Sequence, residues 1–137
     1  FHGCAQNRDK VGDAFVKYTG FAAWADTNKL IVLFPQVATS VSNPQACWDW
    51  WGYTGHDYLT REAPQIKAVR AMIEYGFSAL GLHRVYAMHF SRNPASGRVM
   101  EKCGMVHEGR FREHIRKWGV FEDVDIWGIL REGGAFP

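Results

Sequence analysis

The pattern of apolar and polar positions predicts three helices. Apolar residues recur at helical spacing in three segments of the chain. Gly20 interrupts the first segment, and Gly81 follows the longest one, as a residue that caps a helix C-terminus commonly does. The predicted helices are Asp13–Ala25, residues 64–80 and Asn93–Cys103.

Shorter apolar runs between these helices predict five strands. Leu30–Phe34 is an unbroken apolar run that Pro35 stops, which is typical of a buried strand. The last two runs flank a turn at residues 117–119 and predict an antiparallel hairpin. The order β-α-β-loop-α-β-α-β-β favours the α/β class, with a single mixed sheet and the hairpin at its C-terminal edge. The predicted strands are Phe1–Gly3, Leu30–Phe34, His83–Phe90, Val106–Ile115 and Val120–Leu130.

Composition and charge indicate which class of protein this is and which partners to expect. The chain has 137 residues, 47% of them hydrophobic and 22% charged, which fits one globular domain. A net charge of +2 gives no support to a nucleic-acid partner, and no apolar run has the length of a membrane span, so we expect neither partner. Because the chain starts at Phe1 and shows no signal-peptide pattern, we interpret it as a fragment or an engineered fusion.

The cysteines leave the redox state open. Three are present, at positions 4, 47 and 103, and none has the spacing of a zinc site, so no metal is expected. An odd count fits either one disulfide with a free thiol or three reduced thiols. The cellular compartment therefore stays undecided at this stage.

Two motifs in the first half resemble one family of secreted esterases. They are Phe-His-Gly-Cys-Ala-Gln at residues 1–6 and Cys-Trp-Asp-Trp-Trp-Gly-Tyr at residues 47–53. Together they resemble the extracellular poly(3-hydroxybutyrate) depolymerases, α/β-hydrolases, over residues 1–73. The resemblance implies that the Cys4 backbone N–H belongs to an oxyanion hole, that Trp50 and Trp51 bind an apolar polyester, and that Cys4 pairs with Cys47.

Simpler explanations for these residues remain open. A His-Gly pair is usually a tight turn, and a tryptophan cluster is more often core than binding site. The chain also contains no Gly-x-Ser-x-Gly motif, and no histidine stands in the context of the family's triad. No catalytic residue can therefore be named, and an esterase of this kind would lack its Ser-His-Asp triad.

The second half resembles a different family. The motif Asn-Pro-Ala-Ser at residues 93–96, followed by Glu-Lys-Cys-Gly-Met at residues 101–105, resembles the C-terminal half of GNAT-type N-acetyltransferases over residues 68–131. The resemblance implies direct acetyl transfer from acetyl-CoA to a small-molecule or peptide amine, with Asn93 and Ser96 near the cofactor. Asn93 has an equally good structural explanation as a helix N-cap.

The GNAT resemblance is also incomplete. The family's Gly-rich pyrophosphate loop is replaced by residues 58–65, which follow the depolymerase pattern. Binding of acetyl-CoA is therefore expected to be weak or absent. The two segments share the helix at residues 64–80 and join near residues 68–73, where the apolar stripe keeps its phase. Residues 132–137 are expected to form a tail.

Three hypotheses about function follow. The first is a hybrid or fragment with GNAT-like, acetyl-CoA-dependent N-acetyltransferase character that is catalytically incomplete. The second is a depolymerase-like esterase fragment without its triad, and the third is a non-catalytic chimera, natural or engineered. An exposed tryptophan loop and unpaired strand edges also favour a homo-oligomer.

Overall fold

The computed structural model describes residues 1–131, which belong to two compact units. The first unit is Phe1–Tyr58, and the second starts at Leu59. The predicted tail at residues 132–137 lies outside the described residues. Within the described part of the chain, no helix is long and apolar enough to cross a membrane.

The first unit contains three short helices, and two of them stand where one helix was predicted. Gly12 and Gly20 have φ angles of 62° and 77°, in the left-handed region that breaks a right-handed helix. The predicted helix Asp13–Ala25 is therefore divided at Gly20 into two helices, which together cover most of its length. The helices are α1 (Arg8–Val11), α2 (Ala14–Tyr18) and α3 (Phe21–Thr27).

Both strands predicted in the first unit were wrong. Phe1–Gly3 and Leu30–Phe34 form no strand among residues 1–131. A strand needs a neighbouring strand to take up its backbone N–H and C=O groups, and neither segment has one. Ile31 and Leu33 are each 54% exposed, so the apolar run at this point is not a buried sheet element.

The second unit follows the predicted elements closely. Its sheet has the order β1-β3-β2, and both strand pairs are antiparallel. The mixed helix-and-strand class and the C-terminal hairpin are confirmed, whereas the longer predicted strand order and the single mixed sheet are not. The elements are α4 (Pro64–Ser78), β1 (Arg84–Phe90), α5 (Pro94–Lys102), β2 (Val106–Lys117) and β3 (Val120–Leu130).

A small apolar core holds this second unit together. Ile66, Ile73 and Phe77 lie on the inner face of α4 and pack with Cys103, which follows α5. Each such side chain contributes roughly 1.5–3 kcal/mol when it is fully buried. Burial also raises the pKa of the Cys103 thiol, which keeps it protonated and unreactive at neutral pH.

Strand register decides which side chains share a face of the sheet. His89 is paired with Asp125, and Ala87 with Trp127, so His89, Asp125 and Trp127 all point to the same face. Gly97 of α5 lies against His89 and Trp127, which identifies this as the face that α5 covers. On the opposite face Arg84 pairs with Glu108, whose carboxylate lies over Gly128.

Candidate functional site

A disulfide organises the candidate site in the first unit. Cys4 and Cys47 are bonded through their sulfur atoms, and their Cα atoms are 4.3 Å apart. The third cysteine, Cys103, is reduced and buried in the second unit. The bond joins the His-Gly-Cys segment to the start of the tryptophan loop, so two separate motifs of the sequence become one local structure.

The backbone N–H of Cys4 is an unused donor in this segment. The Gly3 N–H donates to Gln6 Oε1 at 3.1 Å, and the Ala5 N–H donates to the Gln45 carbonyl at 2.6 Å. Within residues 1–131, the N–H of Cys4 between them has no hydrogen-bond partner. An oxyanion needs such a donor, but one donor without a nucleophile does not make an acyl-transfer site.

The tryptophan loop is shaped by the carboxylate of Asp49. Its oxygens accept hydrogen bonds from the backbone N–H groups of Trp51, Gly52, Tyr53 and Thr54. Burial works to raise the pKa of Asp49, but these bonds and one from the Thr54 hydroxyl hold it below its ordinary value. The loop is therefore stabilised by an ionised carboxylate at neutral pH.

The tryptophans of this loop divide into two kinds. Trp48 packs against the Phe1 ring, with centroids 4.8 Å apart. Trp50 is 72% exposed and Trp51 is 41% exposed, and their rings contact each other edge to face. The structure thus presents Trp50 and Trp51 to solvent as an aromatic surface.

In the second unit, Asn93 and Ser96 meet at the start of α5. The Asn93 side-chain amide donates to the Ser96 hydroxyl at 3.0 Å, and both groups are accessible from solvent. Asn93 occupies the N-cap position of α5, but its side chain makes no capping hydrogen bond with the helix. The Asn93 Oδ1 atom has no hydrogen-bond donor within the described part of the chain.

An open cavity of about 260 Å³ lies between α5 and the sheet. Asp125 forms part of its floor and is 5% exposed. The Arg110 guanidinium binds both Asp125 oxygens, at 2.9 and 3.0 Å, and His107 Nε2 lies 3.1 Å from Oδ1. The cavity is lined by His89, Ser91, Pro94, Gly97, Arg98, Glu101, His107, Arg110, Asp125 and Trp127.

Asp125 remains ionised because of its partners. The Arg110 guanidinium holds the pKa of Asp125 well below its usual range. Burial acts to raise this pKa, and the hydrogen bond from His107 lowers it further. No motif in the sequence indicated this cluster. Strand alternation groups Asp125 with Trp127 on one face of β3, but only the register of β2 adds His107 and Arg110 to them.

Gly97 allows α5 to approach the sheet closely. A Cβ atom there would lie 3.0 Å from His89 Nε2 and 3.2 Å from Trp127 Cζ2, both of them atoms of aromatic rings. We expect Gly97→Ala to cost about 1–2 kcal/mol in urea unfolding, because overpacking outweighs the gain in helix propensity.

Gly76→Ala in α4 is the matched control for that substitution. Its Cβ would meet the flexible end of Leu82 at 3.1 Å, so little loss or a small gain is expected. Equal effects of the two substitutions would contradict the close packing inferred at Gly97.

Comparison with known proteins distinguishes the two parts of the chain. Residues 65–106 match the family model described as an acetyltransferase (GNAT) domain. The probable N-acetyltransferase YjcK of Bacillus subtilis is 42% identical over 64 residues, which are 47% of this chain and 35% of that protein. The poly(3-hydroxybutyrate) depolymerase of Delftia acidovorans is 42% identical over 80 residues, which are 58% of this chain and 16% of that protein.

The chain joins a depolymerase-like segment to a GNAT-like segment. This confirms both resemblances predicted from the sequence and the GNAT-like character of the second half. The segments that match the two relatives contain 80 and 64 residues, more in total than the 137 residues of the chain, so the two segments overlap by several residues. The chain spans only 35% and 16% of the lengths of these two relatives.

A solved structure is also similar to this chain. The crystal structure of an acetyltransferase of the GNAT family from Bacillus anthracis is 40% identical, covering 46% of this chain and 38% of that one, with a TM-score of 0.45. Among the described residues, no group of three or more His, Cys, Asp or Glu side chains could hold a metal ion.

Proposed function

We propose that the second unit is an acetyl-CoA-binding segment of GNAT type that does not complete acetyl transfer by itself. The GNAT family binds acetyl-CoA, and the matched residues include Asn93 and Ser96. The observation that carries the proposal is that the side chain of Asn93, the N-cap residue of α5, makes no capping hydrogen bond with its own helix. Its side chain is turned to Ser96 and to solvent, so it is available to a ligand.

The free edge of β1 supports the same proposal. The Arg131 N–H donates to the His83 carbonyl, and the Ser91 N–H donates to the Asp123 carbonyl. In an antiparallel pair these bonds alternate, so the backbone groups of the even-numbered residues 84, 86 and 88 point away from β3. This edge of β1 has no partner strand in the described sheet, and it can donate and accept hydrogen bonds with an extended ligand.

Weak binding of acetyl-CoA is expected because the pyrophosphate loop of the GNAT family is replaced in this chain. Residues 58–65 lack the Gly-rich turn that cradles a pyrophosphate with backbone N–H groups. Among these residues Arg61 provides one cation, and Glu62 stands beside it and pairs with Lys67. The phosphates of acetyl-CoA would therefore gain little attraction, and the affinity would rest on the pantetheine end near Asn93.

A thermal-shift titration with millimolar acetyl-CoA tests this proposal. Ligand at ten times its Kd adds about 1.4 kcal/mol to stability, enough to raise the melting temperature by several degrees. We expect Asn93→Ala to abolish most of that shift, whereas Asn28→Ala, at the end of α3 in the first unit, should leave it unchanged. Absence of any shift in the unsubstituted protein would refute the proposal.

We propose that the acceptor of the acetyl group is an amine, and the same protein preparation can test this. A relative from Vibrio cholerae, 32% identical over 63 residues, is named as a spermidine N(1)-acetyltransferase. Spermidine is therefore the first amine to add with acetyl-CoA, with release of free CoA as the readout. We expect no release above the rate without protein, and sustained release would show that the segment is catalytically complete.

A polyester-binding role for the first unit is the second candidate. The exposed pair of Trp50 and Trp51, on a loop held by Asp49, favours it. We expect adsorption to poly(3-hydroxybutyrate) granules without hydrolysis, and a loss of adsorption in the Trp50→Ala variant. Hydrolysis of p-nitrophenyl butyrate would instead reveal a nucleophile that the sequence motifs do not show.

A further inference from the structure

One hydrogen bond crosses from β3 to β1 beneath helix α5. The Trp127 indole Nε1–H donates to His89 Nε2 at 3.1 Å. Because an indole nitrogen can only donate, His89 Nε2 must accept, and the ring proton lies on Nδ1. That Nδ1–H donates to the Phe90 carbonyl at 2.9 Å, so both nitrogens of the ring are used and its orientation is fixed.

Helix α5 rests directly on this pair of rings. Gly97 faces both of them, and the space for a Cβ atom at this position is already filled. The far half of the helix is anchored separately, because Met100 is 7% exposed and Cys103 is 1% exposed. The near half therefore depends on the contact between Gly97 and the two rings.

Asn93 is four residues before Gly97, about one helical turn away. The Asn93 side chain makes no capping bond, so the start of the helix is held by the Asn93 N–H bond to the Phe90 carbonyl, at 2.8 Å, and by this support at Gly97. A change in the tilt of either ring beneath Gly97 would move the helix start with it, since one turn of helix behaves as a rigid body.

We propose that the Trp127–His89 hydrogen bond positions the start of α5, and with it Asn93 and Ser96, for the ligand. His89 and Trp127 are positioning residues, acting on the ligand through α5. The expected effect on ligand binding rests on the proposed function. The expected effect on the helix rests only on the contacts of α5 with the two rings.

Other charged and titratable groups line the cavity that His89 and Trp127 also line. Asp125 comes from β3, His107 and Arg110 from β2, and Arg98 and Glu101 from α5. Arg110 and His107 are bound to Asp125. Within residues 1–131, the Trp127 N–H donates to His89 Nε2. An apolar residue at position 89 would leave this N–H without that acceptor.

The test compares variants that keep and remove the acceptor at position 89. His89→Gln places an amide oxygen close to the position of Nε2 and can still accept the indole N–H. His89→Leu has similar volume but no acceptor, and Trp127→Phe removes the donor. His83→Leu, at the exposed residue just before β1, is the matched control for a histidine-to-leucine change.

Hydrogen exchange of the full chain gives the first readout, without ligand. In His89→Leu and Trp127→Phe we expect exchange of the amides at residues 96–98 to accelerate about tenfold, with α4 unchanged, since only α5 is released. His89→Gln and His83→Leu should exchange at close to the original rate. If His89→Gln accelerates as much as His89→Leu, or if neither does, the positioning role is wrong.

Acetyl-CoA titration gives the second readout and separates the two proposals. We expect the Kd to rise about tenfold in His89→Leu and less than threefold in His89→Gln. If the unsubstituted protein does not bind acetyl-CoA, the proposed function fails, while the exchange data still decide the positioning role. Unchanged affinity in His89→Leu, with accelerated exchange, would show that α5 is positioned by this bond but not for this ligand, and would overturn the inference as stated.

Discussion

Reduction of the Cys4–Cys47 disulfide is expected to lower the free energy of unfolding of the first unit by about 4 kcal/mol. The bond joins residues that are 43 positions apart, and a closed loop of that size removes much of the entropy of the unfolded chain. The first unit has only short helices, the longest of them Phe21–Thr27, and most of their residues are exposed. Its order therefore depends on the disulfide more than on a core.

Limited proteolysis with mass spectrometry would check this expectation. With reductant present, cleavage sites should appear within Phe1–Tyr58, while the core helix α4 of the second unit stays protected. The double variant Cys4→Ser/Cys47→Ser should be cut in the same region with or without reductant, which controls for effects on Cys103. A first unit that stays resistant after reduction would show that its loops are stable without the bond.

The largest effect in the second unit is expected from Asp125→Ala. The substitution removes a carboxylate that is 5% exposed and leaves Arg110 and His107 without their common partner. Breaking a fully buried ion pair costs roughly 3–5 kcal/mol, but Arg110 is half exposed and can be solvated again. We therefore expect a loss of about 2–3 kcal/mol, measured by urea unfolding.

Glu62→Ala is the matched control for Asp125→Ala. Glu62 pairs with Lys67 at the surface, where ion pairs contribute little, so its loss should hardly change the unfolding midpoint. If the two substitutions have similar small effects, Asp125 is not an organising residue of this unit. If Asp125→Asn is as damaging as Asp125→Ala, the carboxylate charge itself carries the stabilisation.

Acid titration of the same variants follows from the direction of the Asp125 shift. Its pKa is lowered in the folded chain, so the unfolded chain binds this proton more readily. The stabilisation is complete above the ordinary aspartate pKa of about 3.9 and is lost as the pH falls from there through the lower folded pKa. The stability of the second unit should fall in that range, and the fall should be smaller in Asp125→Asn.

The sequence predicted the second unit far better than the first. In the second unit, the helix predicted at residues 64–80 is found as Pro64–Ser78, and the hairpin is found almost residue for residue. There the pattern of apolar residues matches elements that pack on one another within a short stretch of chain. In the first unit the apolar run Leu30–Phe34 predicted a strand, but a strand also requires a partner, and periodicity cannot supply one.

The candidate site residues show the same division. The motif that contains Asn93 and Ser96 could be read from the sequence, as could the pair of exposed tryptophans. From the sequence, Asn93 fits a helix cap and a ligand contact equally well. Only the structure showed that Asn93 is at the N-cap position while its side chain turns to Ser96 and forms no capping hydrogen bond.

The cluster around Asp125 could not be found from spacing along the chain. His89 and Asp125 are far apart in sequence and become neighbours only through the register of β1 on β3. Arg110 and His107 join them through the register of β2, which contains irregularities that no periodicity predicts.

The sequence by itself determined that two unrelated enzyme patterns meet in this chain, because motifs such as the tryptophan loop are local strings of residues. It also determined the helices and hairpin of the second unit, whose apolar periodicity is local as well. Tertiary structure alone decided that Leu30–Phe34 stays unpaired and that His89 and Trp127 support α5. These outcomes depend on backbone conformation and long-range pairing, which a linear pattern does not contain.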